Sequence, residues 1–138
     1  MNTVDEPISS IMAREVKLIQ LDNELKAALE LMEENNISHL PVMENDKLVG
    51  IISMTDVKRV RYLSEFAEDS VSANTTFQIF DIDEVMTKNV KTVEENTPIQ
   101  AVAKLFSTAD YHAMPVMNGN EIVGIVSVKD VLKYYAGN

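Results

Sequence analysis

The chain has no cysteine, no tryptophan, only four glycines among 138 residues, and 12 basic against 22 acidic side chains. The missing thiols exclude thiolate metal sites, disulfides and a cysteine nucleophile. No apolar run reaches the ~18 residues that spanning a bilayer takes, and Met1-Asn2-Thr3-Val4-Asp5-Glu6 lacks the basic start and apolar stretch of a signal peptide. The expectation is a cytoplasmic protein without a membrane partner. A formal net charge of −10 leaves little for phosphate-rich polymers to hold, so nucleic acid is not an expected partner. Also absent are a Gly-x-x-x-x-Gly-Lys phosphate loop, a nucleophile elbow and a defensible acid and base pair, which argues against an enzyme.

What remains is ample for a packed globule: 46% of the residues are hydrophobic, and the length suits one domain or two small halves sharing one core. The acidity is concentrated outside two segments. Residues 11–60 carry six basic and nine acidic side chains, and residues 85–134 carry five of each. The remainder is one basic residue, Arg61, against eight acids: Asp5, Glu6, Glu65, Glu68, Asp69, Asp81, Asp83 and Glu84. A local anion site in the body of the protein is therefore compatible with the acidic total.

Those two segments are copies of one another. A shift of 74 residues superposes 11–60 on 85–134 without a gap, and 14 of the 50 pairs are identical. They include Met12/Met86, Val16/Val90, Pro41/Pro115, Gly50/Gly124, Ser53/Ser127 and Asp56/Asp130. A repeat of this kind is one supersecondary unit used twice, each copy needing a neighbour to cover its apolar face. The chain then reads as an N-terminal segment 1–10, a first repeat 11–60, an acidic connector 61–84 and a second repeat 85–138.

Each copy has the same local pattern. An extended segment (Val16 to Leu21, Val90 to Glu94) leads to a helix with apolar residues at i, i+3, i+4 and i+7: Leu25, Ala28, Leu29 and Met32, then Ile99, Val102, Ala103 and Phe106. Thr97-Pro98 predicts an N-cap followed by proline at the first helical position, and Asp22 or Asn23 can cap the earlier helix. Strands follow at Leu40–Met43 and Leu48–Ile52, and at Met114–Met117 and Ile122–Val126, joined by turns at 44–47 and 118–121. A closing helix puts Val57 and Val60, or Val131, Tyr134 and Tyr135, on its inner face. In the connector, "SVSANTTFQ" suggests an exposed loop, and Phe77, Ile79 and Phe80 form an apolar cluster.

The two closing helices begin at "GIISMTD" (50–56) and "GIVSVKD" (124–130). Ser-x-x-Asp is close to a capping box, the serine accepting a free helix N–H and the acid favouring the positive end of the helix dipole. The same geometry suits a ligand. Free N–H groups attract an anion, a hydroxyl adds a donor, a glycine lets a ligand near the strand, and an acid one turn in can take a ribose diol. Phosphate and ribose together suggest a nucleotide.

The twofold pattern of "VMT", "HLPVMENDKLVGIISMTD" and "AMPVMNGNEIVGIVSVKD" resembles the CBS domain, named for cystathionine beta-synthase, present as a tandem pair. The resemblance covers nearly the whole chain apart from the first ten residues and the connector. It implies an α+β fold of two β-α-β-β-α repeats packed sheet to sheet about a pseudo-twofold axis, with two clefts. Many members bind AMP, ADP, ATP or another adenosyl compound such as S-adenosylmethionine. Carried over, Asp56 and Asp130 would take riboses, and Ser53 and Ser127 would donate to phosphates. Asp56 would share a site with Thr87, and Asp130 with Ala13 and Val16, where adenine would lie. Ser38 and His112 stand where the family often has a phosphate-facing Arg or His. Lys129 stands where a basic residue commonly meets phosphate; Thr55 cannot supply that charge, so the Asp130 site is expected to bind anionic ligands more tightly.

Other residues have plainer readings. His39 and His112 are one register apart between the copies and have no partner ligands at zinc-like spacing, so no metal is expected of them. For His112 alone, facing a phosphate and facing solvent are both open. Met32, Met43, Met54 and Met117 read as core. Asp81, Asp83 and Glu84 could hold a divalent cation, but the surrounding composition does not suggest a defined site. The resemblance implies a regulatory module that binds adenine nucleotide, forms a homodimer and signals to an unidentified effector protein in trans. The rival reading is a dimerisation scaffold without a physiological ligand, in which both corners only cap helices.

Overall fold

The computed structural model describes residues 6–65 and 80–137, so the "SVSANTTFQ" loop and the apolar residues Phe77 and Ile79 lie outside the described residues. Phe80, the third member of that cluster, is 36% exposed. In chain order the elements are a 3-10 turn Ile8–Ser10, β1 Ile19–Gln20, α1 Leu25–Asn35, β2 His39–Glu44, β3 Lys47–Ser53, α2 Met54–Glu65 and α3 Ile82–Val85. The second series is β4 Val93–Glu94, α4 Ile99–Ser107, β5 Ala113–Asn118, β6 Glu121–Ser127 and α5 Val128–Tyr135. The fold is α+β, with two three-stranded sheets ordered β1-β2-β3 and β4-β5-β6. Among the described residues no helix is long and apolar enough to cross a membrane.

The chain divides into two compact units, one of Lys17–Val90 and the other of Met1–Val16 with Lys91–Asn138. In the first, β1 runs parallel to β2, and β2 runs antiparallel to β3 with a register irregularity between Val42 and Met43. In the second, β4, β5 and β6 repeat this pairing residue for residue, with the irregularity between Val116 and Met117. The sequence expectation for the strands holds, each observed strand of the hairpins being slightly longer.

Each unit recruits a segment from the far side of the repeat boundary. Thr87 exchanges both backbone hydrogen bonds with Ile51 (2.8 and 3.0 Å), and Ala13 exchanges both with Ile125 (2.9 and 3.0 Å). The segment leading into the second copy therefore lies on β3 of the first copy's sheet, and the segment leading into the first copy lies on β6. This explains how a proline sits in the middle strand of each sheet. Pro41 faces Ile51 and Pro115 faces Ile125. Because Ile51 and Ile125 turn their polar groups to Thr87 and Ala13, these are non-hydrogen-bonded pairs, and the N–H that proline lacks falls outside the hairpin ladder.

The helix periodicity marks the core. Leu25, Ala28, Leu29 and Met32 of α1 are all buried, in one cluster with Leu40, Val42, Ile52, Val57 and Ile82. The other unit gathers Ile99, Val102 and Phe106 of α4 with Met114, Val116, Val126, Val131, Ile8 and Met12. Ile82 and Ile8 come from the recruited segments and are fully buried, so those segments close the cores.

Several local expectations are corrected. The α1 N-cap is Glu24, and Asn23 Oδ1 instead accepts from Gln20 N–H at 2.9 Å. The α4 N-cap is Pro98 itself, with an extended ψ of 144°, so Thr97 lies one residue too early. Tyr135 is 56% exposed, its ring edge-on to Tyr134 with centroids 5.1 Å apart. Met54 is only half-buried. Part of the expected connector is helical: α3 begins after Asp81, whose N–H is taken by Glu84 Oε1 at 2.9 Å.

Candidate functional site

The Asp56 corner forms where β3 ends and α2 begins. A starting helix leaves its first N–H groups without partners, and here two of them are taken inside the unit. Met54 N–H donates to Ser38 O at 2.7 Å, and Asp56 N–H donates to Ser53 Oγ at 3.1 Å. Ser53 is thus a helix cap, its hydroxyl hydrogen left over for another acceptor. The Asp56 carboxylate turns along the helix to Arg59, with Nη1 3.3 Å from Oδ1. Thr55 and the Ser38 side chain are exposed. Thr87, exposed as well, is bonded to Ile51, two residues before Ser53 on the same face of β3.

The Asp130 corner has the same backbone. Val128 N–H donates to His112 O at 2.9 Å, and Asp130 N–H to Ser127 Oγ at 3.2 Å. The acid, however, is held differently: Asp130 Oδ2 accepts from Ser127 N–H at 2.9 Å, closing a reciprocal capping box. Lys129 and His112 are exposed. Ala13 lies on Ile125, two residues before Ser127, whereas Val16 is half-buried and its N–H donates to Arg14 O at 3.1 Å. Among the described bonds none ties Val16 to the corner. Asp130 and Lys133 share a concavity of about 430 Å³ with Ser10, Ile11, Tyr134 and Gly137.

The residues singled out from sequence thus sort cleanly. Ser38, Ser53, Asp56 and Thr87 belong to one unit, and Ala13, Val16, His112, Ser127, Lys129 and Asp130 to the other. Both serines perform the capping part of their expected role, whereas of the two aspartates only Asp130 completes a capping box. Each corner keeps a half-buried carboxylate beside a hydroxyl, a combination that can accept from a diol and donate to an oxyanion.

Two points went differently from the reading of the sequence. Gly50 and Gly124 are not left open for a ligand. A Cβ on Gly50 would collide with Met86 Sδ and stand 3.0 Å from Thr87 O, and one on Gly124 would collide with Met12 Sδ and stand 2.9 Å from Ala13 O. The glycines admit the recruited segment and its methionine. Second, the Asp56 corner does have a cation: Arg59, matched by Lys133 in the other unit. The signal for it in the sequence is an acid followed three residues later by a base on one helix. Among the described residues no group of three or more His, Asp or Glu could hold a metal; His39 lies opposite Ser53 in the β2–β3 ladder.

Comparison with known proteins places these corners in a family. The family profile "CBS domain" matches residues 8–62 and 82–137. MJ1225 of Methanocaldococcus jannaschii, a protein described as uncharacterized, is 32% identical over 135 residues, 96% of this chain and 48% of its own length. Its crystal structure superposes with a TM-score of 0.75. The crystal structure of the CBS domain pair of MJ0100, in complex with 5′-methylthioadenosine and S-adenosyl-L-methionine, is 28% identical with a TM-score of 0.78, covering 95% of this chain and 96% of that one. The homoserine O-acetyltransferase of Methanohalobium evestigatum is 28% identical over 126 residues, which are only 23% of that protein. The chain spans about half of MJ1225 and a quarter of the acetyltransferase. Two matched repeats over most of its length make this chain a member of the CBS domain family, carrying a tandem pair.

Proposed function

We propose that the chain is a regulatory module that binds an adenosyl compound at its Ser-x-x-Asp corners and passes the occupancy to a partner protein in trans. The observation that carries this reading is its likeness, over nearly the full chain, to the MJ0100 pair crystallised with two adenosyl compounds. In this reading Asp56 and Asp130 accept from ribose hydroxyls, and the Ser53 and Ser127 hydroxyls donate to the phosphate side. Thr87, and Ala13 with Val16, flank the base. Lys129 and His112 face phosphate, and Ser38 stands at the place matching His112. The ligand class is AMP, ADP, ATP or S-adenosylmethionine, and the working assembly is a homodimer.

Thermal denaturation with AMP, ADP, ATP and S-adenosylmethionine tests this. A ligand at 100 times its dissociation constant stabilises the folded chain by about 2.7 kcal/mol, a readily measured shift. A scaffold function is the second reading, favoured by the capping bonds at both serines and by the methionines filling the space beside both glycines. No shift with any of the four compounds would establish the scaffold instead.

A further inference from the structure

The Asp56 carboxylate, which the proposed function assigns to a ribose, already has a cation on it. Asp56 and Arg59 are one turn apart on α2, with Nη1 3.3 Å from Oδ1 and side-chain exposures of 25% and 65%. The exposed arginine has reached back to a half-buried acid, where a different rotamer would have left it in water. Neither Thr55 nor Ser53 can contribute positive charge, and Arg59 is the cation that the structure places on Asp56.

A guanidinium has five N–H donors in a rigid fork, and one is engaged here, on a single carboxylate oxygen. A ribose diol approaching Asp56 meets a partly neutralised acid, which weakens that contact for every ligand alike. A ligand with an anionic 5′ group recovers the loss, because its phosphate can take the guanidinium's remaining donors and leave a chain of phosphate, Arg59 and Asp56. A ligand with an uncharged 5′ thioether recovers nothing, and in S-adenosylmethionine the sulfonium next to the ribose is repelled while the more distant methionine carboxylate offsets part of that repulsion.

We propose that Arg59 is the specificity-determining residue of the Asp56 corner, selecting adenosyl compounds with an anionic 5′ group over neutral or cationic ones. The inference rests on the adenosyl-binding reading above and deepens it. At the Asp130 corner the equivalent acid is held by the Ser127 backbone N–H, an uncharged partner, and among the described residues no ion pair joins it to Lys133.

Calorimetric titration with AMP, 5′-methylthioadenosine and S-adenosylmethionine tests it, in an Asp130→Ala background so that the Asp56 corner is read alone. The expected order of affinity puts AMP ahead of both 5′-methylthioadenosine and S-adenosylmethionine. Arg59→Gln should shrink the preference for AMP over 5′-methylthioadenosine by about five- to tenfold, a charge-assisted bond discounted for solvent exposure. Arg59→Lys, which keeps the charge and loses the fork, should retain part of the preference. Arg59 is solvent-facing, and an unchanged unfolding midpoint in both variants separates this effect from misfolding. An Arg59→Gln protein with the same ratio of affinities as its parent overturns the inference while leaving adenosyl binding intact. Failure of the parent to bind all three compounds, in company with a wild type that binds none, removes the ligand-binding reading and this inference with it.

Discussion

At the Asp130 corner the acid is held by the backbone of its own helix cap, and at the Asp56 corner by a side chain one turn further on. The two sites descend from the same 74-residue shift and keep the same strand register, the same bulge, the same serine cap and the same recruited segment. The buried pairs that differ, such as Leu40 against Met114 and Ile52 against Val126, exchange one apolar side chain for another, and the changes of charge or polarity beside the corners fall at exposed positions: Thr55 against Lys129, Ser38 against His112, Thr87 against Ala13. A repeat therefore fixes the scaffold of both corners through buried contacts, and leaves each free to acquire its own charge pattern at little structural cost.

The strongest test of the shared part is steric. Gly50→Val and Gly124→Val should each destabilise the chain by about 1–3 kcal/mol, since the new side chain meets a methionine and a backbone carbonyl. Denaturant midpoints would show it, and Met86→Ala or Met12→Ala should return part of the loss in the matching unit only. A marked inequality between the two glycines would break the equivalence of the units.

The next tests address the difference. Lys129→Ala should weaken nucleotide binding at the Asp130 corner by about tenfold, and Thr55→Lys should strengthen it at the Asp56 corner, both read by titration calorimetry. In the absence of ligand, Asp130→Ala should cost about 1 kcal/mol, because it leaves the Ser127 N–H without its charged acceptor. Asp56→Ala should cost less than about 0.5 kcal/mol, since it removes a solvent-facing ion pair. Equal losses in urea denaturation would show that the two acids are held alike. Smallest of all, Arg59→Gln should leave stability within about 0.5 kcal/mol of wild type while changing ligand preference.

Much of the fold was legible in the sequence because it is written in local periodicity. The spacing of Leu25, Ala28, Leu29 and Met32 requires a helix with one buried face, and all four are buried. Caps were less legible. Asp22, Asn23 and Thr97 are all good capping residues, but the helices start one or two positions later, after Glu24 and Pro98, whose backbone is still extended. Tyr135 was assigned inward from helical phase alone, whereas only Val131 of α5 is buried in the core. The capping role of Ser53 and Ser127 was visible in the sequence. The role of the glycines was not, since their neighbours Met86 and Met12 are brought in by pairings of Thr87 with Ile51 and Ala13 with Ile125, contacts with no trace in any short window.

The recruited segments also give the two units different histories on the ribosome. Lys17–Val90 is continuous in the chain, so all its residues are available once Val90 has been made. The other unit joins the first 16 residues to the last 48, from Lys91 to Asn138. At about 5–20 residues per second, Ile8 and Met12 wait several seconds for Val126 and Val131, members of the same core cluster. One unit can therefore gather its residues from a continuous stretch of chain, while the other must keep an apolar segment unpaired until the residues up to Val131 have been made.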